Sequence, residues 1–294
     1  MLSKKQFDLL DLLIEKPSDY TQRKIAQELG VSVGTVNKTV NELKENGLLE
    51  GLNPTQKALN VMDGYRVKKA VIIAAGFGSR LVPITLNTPK PLVRVNGKRI
   101  IDSALDALTK AGIEEIYVIR GYLGEQFDQL LYKYPTIKFI ENPLYNEANN
   151  ISSAVKAGEL IKGAYVLEAD LLVYNPDIIR KYQYSSNYLG IYVEKSDDWC
   201  LQVKGGRITK LGIGGKKCYQ LVGISYWTEE DGARLCKDIK RVYDMPGGKE
   251  KYWDQVALDV CINDYSVAVR ECKFEDIIEI DTFNELKAID KSYA

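Results

Sequence analysis

The chain has 294 residues, with 40 Lys+Arg against 40 Asp+Glu, no histidine, 45% hydrophobic and 27% charged residues. That is enough chain for one large domain or two ordinary ones, and the charge balance points to neither nucleic acid nor a membrane surface. Without histidine there can be no serine–histidine triad, histidine metal site or histidine general base, so any chemistry must run on carboxylates, lysine, arginine and metal ions held by oxygen.

The first stretch, "SKKQFDLLDLLIEK", sets Phe7, Leu10 and Ile14 on one face of a helix that Pro17 is expected to end. Its acidic residues and the lack of a small-residue cleavage site argue against a signal peptide, which makes the cytoplasm the expected location. "YTQRKIAQELG" reads as a second helix, with Thr21 as N-cap and Gly30 as stop. "VSVGTVNKTVNELKENGLLE" reads as a third, capped by Ser32 and ending at Asn46-Gly47. Two helices joined by a "GVS" turn form a helix-turn-helix, and "GLLEGLNPTQKALNVM" supplies a short wing and a closing helix. Most of residues 3–62 resembles the winged-helix domains of bacterial regulators, which gives a small all-α winged-helix domain over residues 1–64. The resemblance implies DNA contact through residues 20–50, with Thr35, Asn37 and Lys38 facing bases. Residues 1–66 carry nine Lys/Arg and nine Asp/Glu, however, and DNA affinity rests on phosphate neutralisation. A structural role, or one in forming a homodimer, is the alternative.

From residue 65 onward strands and helices alternate: "AVIIAAG", "IIDSALDALTKAG", "EIYVIRG", "GEQFDQLLYKY", "IKFIEN", "NISSAVKAGELIKG", "AYVLEAD". This order predicts an α/β domain over 65–294, a Rossmann-like mixed and mainly parallel sheet with helices on both faces. After Tyr188 the strands turn antiparallel, with a hairpin at Gly205-Gly206. No apolar run is long enough to span a bilayer, so no membrane contact is expected. The five cysteines form no C-x-x-C pair and are expected to be reduced thiols.

The stretch "AAGFGSRLVPITLNTPKPLV" follows the first of these strands. Glycines at the carboxyl end of a parallel strand let backbone N–H groups approach phosphates. The G-x-G-x-R spacing matches neither the dinucleotide fingerprint nor the Walker pattern. Arg80 can fork onto phosphate oxygens, and Lys90 stands between two prolines that stiffen its backbone. The whole stretch is similar to the signature of nucleotidyltransferases that make sugar nucleotides and related cytidine compounds. That resemblance implies that the backbone of Ala74, Ala75, Gly76, Phe77, Gly78 and Ser79 lies against base and triphosphate. Arg80 would hold the departing phosphates, and Lys90 would neutralise charge near the attacked phosphorus.

A triphosphate brings Mg²⁺, which takes a few carboxylates and keeps waters. "YVLEAD" and "FEDIIEID" each end a strand with two acidic residues two apart, so Glu168 and Asp170 share one side. The resemblance implies that Asp170 and Asp281 hold the metal, with Glu279 as a further candidate.

"YNEANNISSA", "EAD", "DDWCLQV", "GISYW", "YWDQV" and "IIEIDT" occur in this order across residues 68–292 and look like the bacterial CTP:phosphocholine cytidylyltransferases. The resemblance implies transfer of CMP from CTP to phosphocholine with release of pyrophosphate. It places Trp199, Tyr252 and Trp253 around the choline with Asp254 as their anionic partner. Asn149 and Asn150 would sit at the acceptor or ribose side, and Gly121 and Tyr122 near the base. Leu171 stands where the family usually shows asparagine. A primary-amine acceptor, phosphoethanolamine or 2-aminoethylphosphonate, would want carboxylates such as Asp197, Asp198 and Asp254 more than aromatic faces. A sugar-1-phosphate is a further alternative. The rival reading is a DNA-binding regulator whose rear domain only senses a nucleotide or a choline compound.

Overall fold

The computed structural model describes residues 1–15 and 20–294, so the helix stop expected at Pro17 lies outside the described residues. The chain forms two compact units. The first comprises Met1–Arg66 together with Tyr182–Tyr184, and the second comprises Val67–Lys181 and Ser185–Ala294.

In the first unit α1 (Lys4–Glu15), α2 (Gln22–Glu28) and α3 (Val33–Glu45) are followed by β1 (Leu49–Glu50), β2 (Asn53–Pro54) and α4 (Gln56–Asp63). Caps set these boundaries: the side chains of Thr21, Ser32 and Thr55 accept from the backbone N–H three residues on. β1 and β2 pair antiparallel as the wing. The apolar stripes close on one core that includes Leu10, Ile25, Val40, Leu43 and Met62. Tyr182 is buried in that core, and the ring of Tyr184 stacks on Tyr65 at 5.9 Å. The unit thus takes in a segment more than a hundred positions away, which a boundary drawn at residue 64 from local pattern does not contain.

The second unit is built on a seven-stranded sheet. β3 (Lys69–Ala74) leads through a short hairpin, β4 (Arg94–Val95) and β5 (Lys98–Arg99), to α5 (Ile100–Lys110). Then come β6 (Glu115–Arg120), β7 (Lys138–Glu141), α6 (Ile151–Ala157), β8 (Ala164–Glu168) and β9 (Leu171–Val173). β10 (Asn187–Lys204) and β11 (Arg207–Trp227) form a long hairpin, followed by α7 (Glu229–Tyr243), β12 (Ala268–Cys272), β13 (Ile277–Glu279) and α8 (Phe283–Ile289). The sheet order is β10-β12-β11-β8-β3-β6-β7, with β10 and β11 also paired. β3 runs parallel to β6 and β8, and β11 runs antiparallel to β8.

β3 shows why both faces are covered. Ile72 packs into one core with Ile101, Leu105 and Leu108 of α5. Its neighbours Val71 and Ile73 point the other way, into a second core with Ile151 of α6 and Leu235 and Ile239 of α7. The hairpin turn falls at Gly205-Gly206, both at positive φ (58° and 77°), as a two-residue turn between twisted strands requires.

Two expected helices differ. "GEQFDQLLYKY" forms a 3₁₀ helix over Gly124–Tyr132. Its buried residues Gly124, Phe127 and Leu130 recur every third position, the 3₁₀ repeat. "NISSAVKAGELIKG" is α-helical only to Ala157, where Gly158 at φ 49° breaks it into a 3₁₀ turn. All five cysteines are free thiols. No helix among the described residues is long and apolar enough to cross a membrane.

Candidate active site

A cavity of about 640 Å³ opens beyond the carboxyl ends of β3 and β8. Its floor begins where β3 ends, at Ala74, Ala75 and Gly76. Gly78 has φ +69°, and a Cβ there would meet the Lys90 Cβ at 2.9 Å, so only glycine lets the loop pass over the lysine stem. Ser79 and Arg80 open a 3₁₀ turn, with Arg80 on the rim and 64% of its side chain exposed. Phe77 lies outside the cavity lining, its ring edge-on to Tyr122 at 4.6 Å. Gly121 and Tyr122 also lie outside the lining. The Tyr122 hydroxyl donates to the carbonyls of Thr85 and Leu86, in the turn between the glycine loop and Lys90.

Lys90 enters the cavity almost buried. Its Nζ donates to Asp170 Oδ2 at 2.7 Å and to Asp281 Oδ1 at 3.1 Å. Asp281 Oδ1 also accepts from Arg80 at 2.6 Å. Burial pulls the Lys90 ammonium down, but the charge and hydrogen bond of Asp170, with Asp281 and Glu279, more than restore it, and the net shift is upward. Lys90 is therefore a permanent cation.

A small antiparallel pairing brings the two acidic segments together. β13 lies beside β9 with Glu279 opposite Leu171, and the Ile280 N–H donates to the Asp170 carbonyl at 3.1 Å. Ligand oxygens of Glu168, Asp170 and Glu279 then lie within 4.8 Å of one another. Burial, then the charges of Asp254 and Asp170, push Glu168 well above the usual carboxylate range. Burial and Asp170 do the same to Glu279. One buried oxygen, Asp170 Oδ1, has no hydrogen-bond partner. A crowded all-oxygen cluster with an orphaned acceptor fits a divalent cation such as Mg²⁺. Asp281, expected from sequence to be one of the two metal aspartates, lines the same cavity and gives Oδ1 to Lys90 and Arg80. Glu168 joins Asp170 and Glu279 in the cluster.

The opposite wall is aromatic and acidic. Trp199 meets Tyr252 edge-on at 5.8 Å, and Asp198 and Asp254 line the cavity beside them. Asp198 accepts from the Gln220 amide at 3.2 Å and from its neighbour's backbone N–H at 2.7 Å. Asp254 accepts from the Tyr188 hydroxyl at 2.6 Å. Burial pushes its carboxyl up to about 6, against the lowering effect of that bond. Trp253, expected beside the acceptor, does not line the cavity. It is 1% exposed and its ring packs within 6.4 Å of both Tyr188 and Trp227, while Tyr252 and Asp254 on either side of it line the cavity.

Asn149 and Asn150 line the cavity, yet their amides are engaged within the protein. Asn149 donates to the Glu250 carbonyl and accepts from the Asn150 N–H. Asn150 donates to Glu168 and accepts from the Trp253 N–H. Tyr145 of "YNEANNISSA" and Gln255 of "YWDQV" also line the cavity, although neither was assigned a role from sequence.

The sequence profile described as nucleotidyl transferase matches residues 69–201. The chain is 36% identical over 228 residues to the 2-aminoethylphosphonate cytidylyltransferase of Lancefieldella rimae, covering 76% of this chain and 92% of that protein. The chain belongs to the nucleotidyltransferase family. This nucleotidyltransferase is also 33% identical over 226 residues to the choline-phosphate cytidylyltransferase of Streptococcus pneumoniae, spanning 76% of this chain and 97% of that one. A solved structure of the CTP:phosphocholine cytidylyltransferase from the same organism superposes with a TM-score of 0.72 at 32% identity. That match covers 78% of the nucleotidyltransferase chain and 100% of the solved one. A winged helix-turn-helix DNA-binding profile matches residues 2–50.

Proposed function

We propose that this nucleotidyltransferase transfers CMP from CTP to a phosphate or phosphonate oxygen of a small primary amine, with 2-aminoethylphosphonate as the leading acceptor. One observation carries the choice of acceptor. With Trp253 in the core, the wall opposite the cation cluster offers two aromatic rings and two carboxylates, Asp198 and Asp254. A primary ammonium has three N–H donors to satisfy, and carboxylates do that better than ring faces. The similarity to the aminoethylphosphonate enzyme supports the same reading. The Trp199–Tyr252 pair favours a second reading, a quaternary ammonium held by ring faces, and hence phosphocholine.

In the proposed reaction an acceptor oxygen attacks the α-phosphorus of CTP, the bond to the bridging oxygen breaks, and pyrophosphate leaves. The acceptor dianion needs no general base, which suits a site without histidine. Lys90 neutralises charge at the attacked phosphate, and Arg80 holds the leaving phosphates from the rim. The backbone from Ala74 to Gly78 cradles the nucleotide. Glu168, Asp170 and Glu279 would hold Mg²⁺, which supplies charge neutralisation on the triphosphate. The charged form of Asp254 orients the ammonium so that the acceptor oxygen faces phosphorus.

In the first unit Lys38 and Asn37 are exposed on α3, a surface that supports contact with DNA. A salt-dependent shift of duplex DNA by the whole protein tests that part.

The test of the main reading is pyrophosphate release with Mg²⁺, crossing CTP, UTP, ATP and dTTP against 2-aminoethylphosphonate, phosphoethanolamine, phosphocholine and glucose-1-phosphate. Turnover confined to CTP with a primary-amine acceptor is expected. Preference for phosphocholine would move the assignment to the second reading. Nucleotide binding with no turnover for any pair would favour a sensor.

A further inference from the structure

Asn150 occupies the N-cap position of α6, where an asparagine side chain ordinarily accepts from the helix backbone. It makes no such bond. Its amide points away from the helix at both ends. Nδ2 donates to Glu168 Oε1 at 3.1 Å, and Oδ1 accepts from the Trp253 N–H at 2.9 Å. Glu168 belongs to the carboxylate cluster, and Trp253 is the buried residue between Tyr252 and Asp254 of the acceptor wall. One rigid planar group therefore spans the two halves of the cavity.

The surroundings leave this bridge little freedom. On β11, a Cβ at Gly223 would lie 2.8 Å from the Glu168 Cγ, so the glycine makes room for that side chain in its present place. Asn149 holds the other end: its N–H donates to the Lys249 carbonyl at 2.7 Å and its amide to the Glu250 carbonyl at 3.1 Å. The Trp253 ring is fixed between Tyr188 and Trp227. A shift of Glu168 toward a cation is then passed through one amide to the backbone that carries Tyr252 and Asp254.

We propose that Asn150 is a positioning residue that couples the Glu168–Asp170–Glu279 cluster to the acceptor wall, so that a divalent cation and the acceptor each strengthen binding of the other. The inference rests on the proposed acceptor site for its second half only. Linkage makes the effect reciprocal, and a coupling of this kind is worth about fivefold or more in affinity.

The experiment uses the whole protein, Mg²⁺ and a non-hydrolysable α,β-methylene analogue of CTP. Wild type is compared with Asn150→Ala and with Asn150→Ser, which can cap α6 but is too short to bridge; thermal melts confirm that both fold. In the first arm, Mg²⁺ titration is followed by tryptophan emission, which reads the surroundings of all three tryptophans, Trp199, Trp227 and Trp253, without any acceptor. A cation-dependent change in wild type that is lost in both variants is expected. In the second arm, calorimetry measures 2-aminoethylphosphonate binding with and without Mg²⁺. Cation-dependent tightening of about fivefold in wild type, abolished in the variants, is expected. No emission change in wild type, or an equal change in the variants, overturns the inference. If the acceptor fails to bind wild type while the emission change still needs Asn150, the acceptor reading fails and the coupling stands.

Discussion

The ammonium of Lys90 donates to Asp170, 80 positions further along the chain, at 2.7 Å. Asp281 and the charge of Glu279 share that single cation. Removing it leaves buried carboxylates facing one another. Lys90→Ala should cut turnover by about 10²–10³-fold through lost charge stabilisation. Its melting temperature should also fall, as expected when one partner of a buried pair is removed. Single-turnover kinetics and calorimetry check both, and a variant with wild-type turnover would remove Lys90 from the chemistry.

Asp254 gives a pH dependence of known sign. Its folded carboxyl is pushed up to about 6 by burial, from an ordinary value of 3.8. Between those values the folded chain keeps a proton that the unfolded chain has released. Stability therefore falls as pH rises through this window, by about 3 kcal/mol in total. Asp254→Asn should accordingly melt higher than wild type at pH 7 while losing acceptor affinity, a stability gain against function. The acceptor KM of wild type should rise more steeply than that of the variant as pH drops below about 6, the variant keeping only the dependence that comes from the acceptor's own second ionisation, at about pH 6.

Trp199 and Trp253 should separate cleanly. Trp199→Ala should raise the acceptor KM about tenfold or more with little change in melting temperature. Trp253→Phe should lower the melting temperature by loss of core packing and leave the acceptor KM near wild type. The reverse pattern would return Trp253 to the acceptor pocket.

Gly223→Ala inserts a methyl against Glu168. Overpacking of this kind costs about 1–3 kcal/mol, and here it displaces a member of the carboxylate cluster. Mn²⁺ affinity measured by paramagnetic resonance should fall along with stability. Unchanged Mn²⁺ affinity would mean that Glu168 contributes nothing to cation binding.

Local pattern made much of this legible. The β3 run with its following glycines, and the two acid-x-acid strand ends, are short-range signals, and their residues line one cavity. What the pattern hid is long-range. Nothing in "YWD" says which of its aromatics faces the core; that is settled by Tyr188 and Trp227, distant in sequence. The sharing of Asp281 Oδ1 by Arg80 and Lys90 follows from the β9–β13 register, which no periodicity announces. Asn149 and Asn150 line the cavity, but a linear sequence does not show that the Glu250 carbonyl and the Trp253 backbone N–H also hold their amides. Tyr182–Tyr184 join the first unit by packing against residues more than a hundred positions earlier.

The β9–β13 pairing also bears on when the protein can begin to work. Asp170 stands beside its partners only after Ile277–Glu279 have docked against Leu171–Val173. During synthesis from the N-terminus, the winged-helix unit and most of the large sheet emerge before that strand does. A growing chain on the ribosome can therefore hold most of its sheet and still lack a finished cation cluster, and a late nonsense mutation that removes this strand also removes Ile280 and Leu286, which pack on Leu81 and Val93, so the loop around Arg80 and Lys90 should be left unsupported as well.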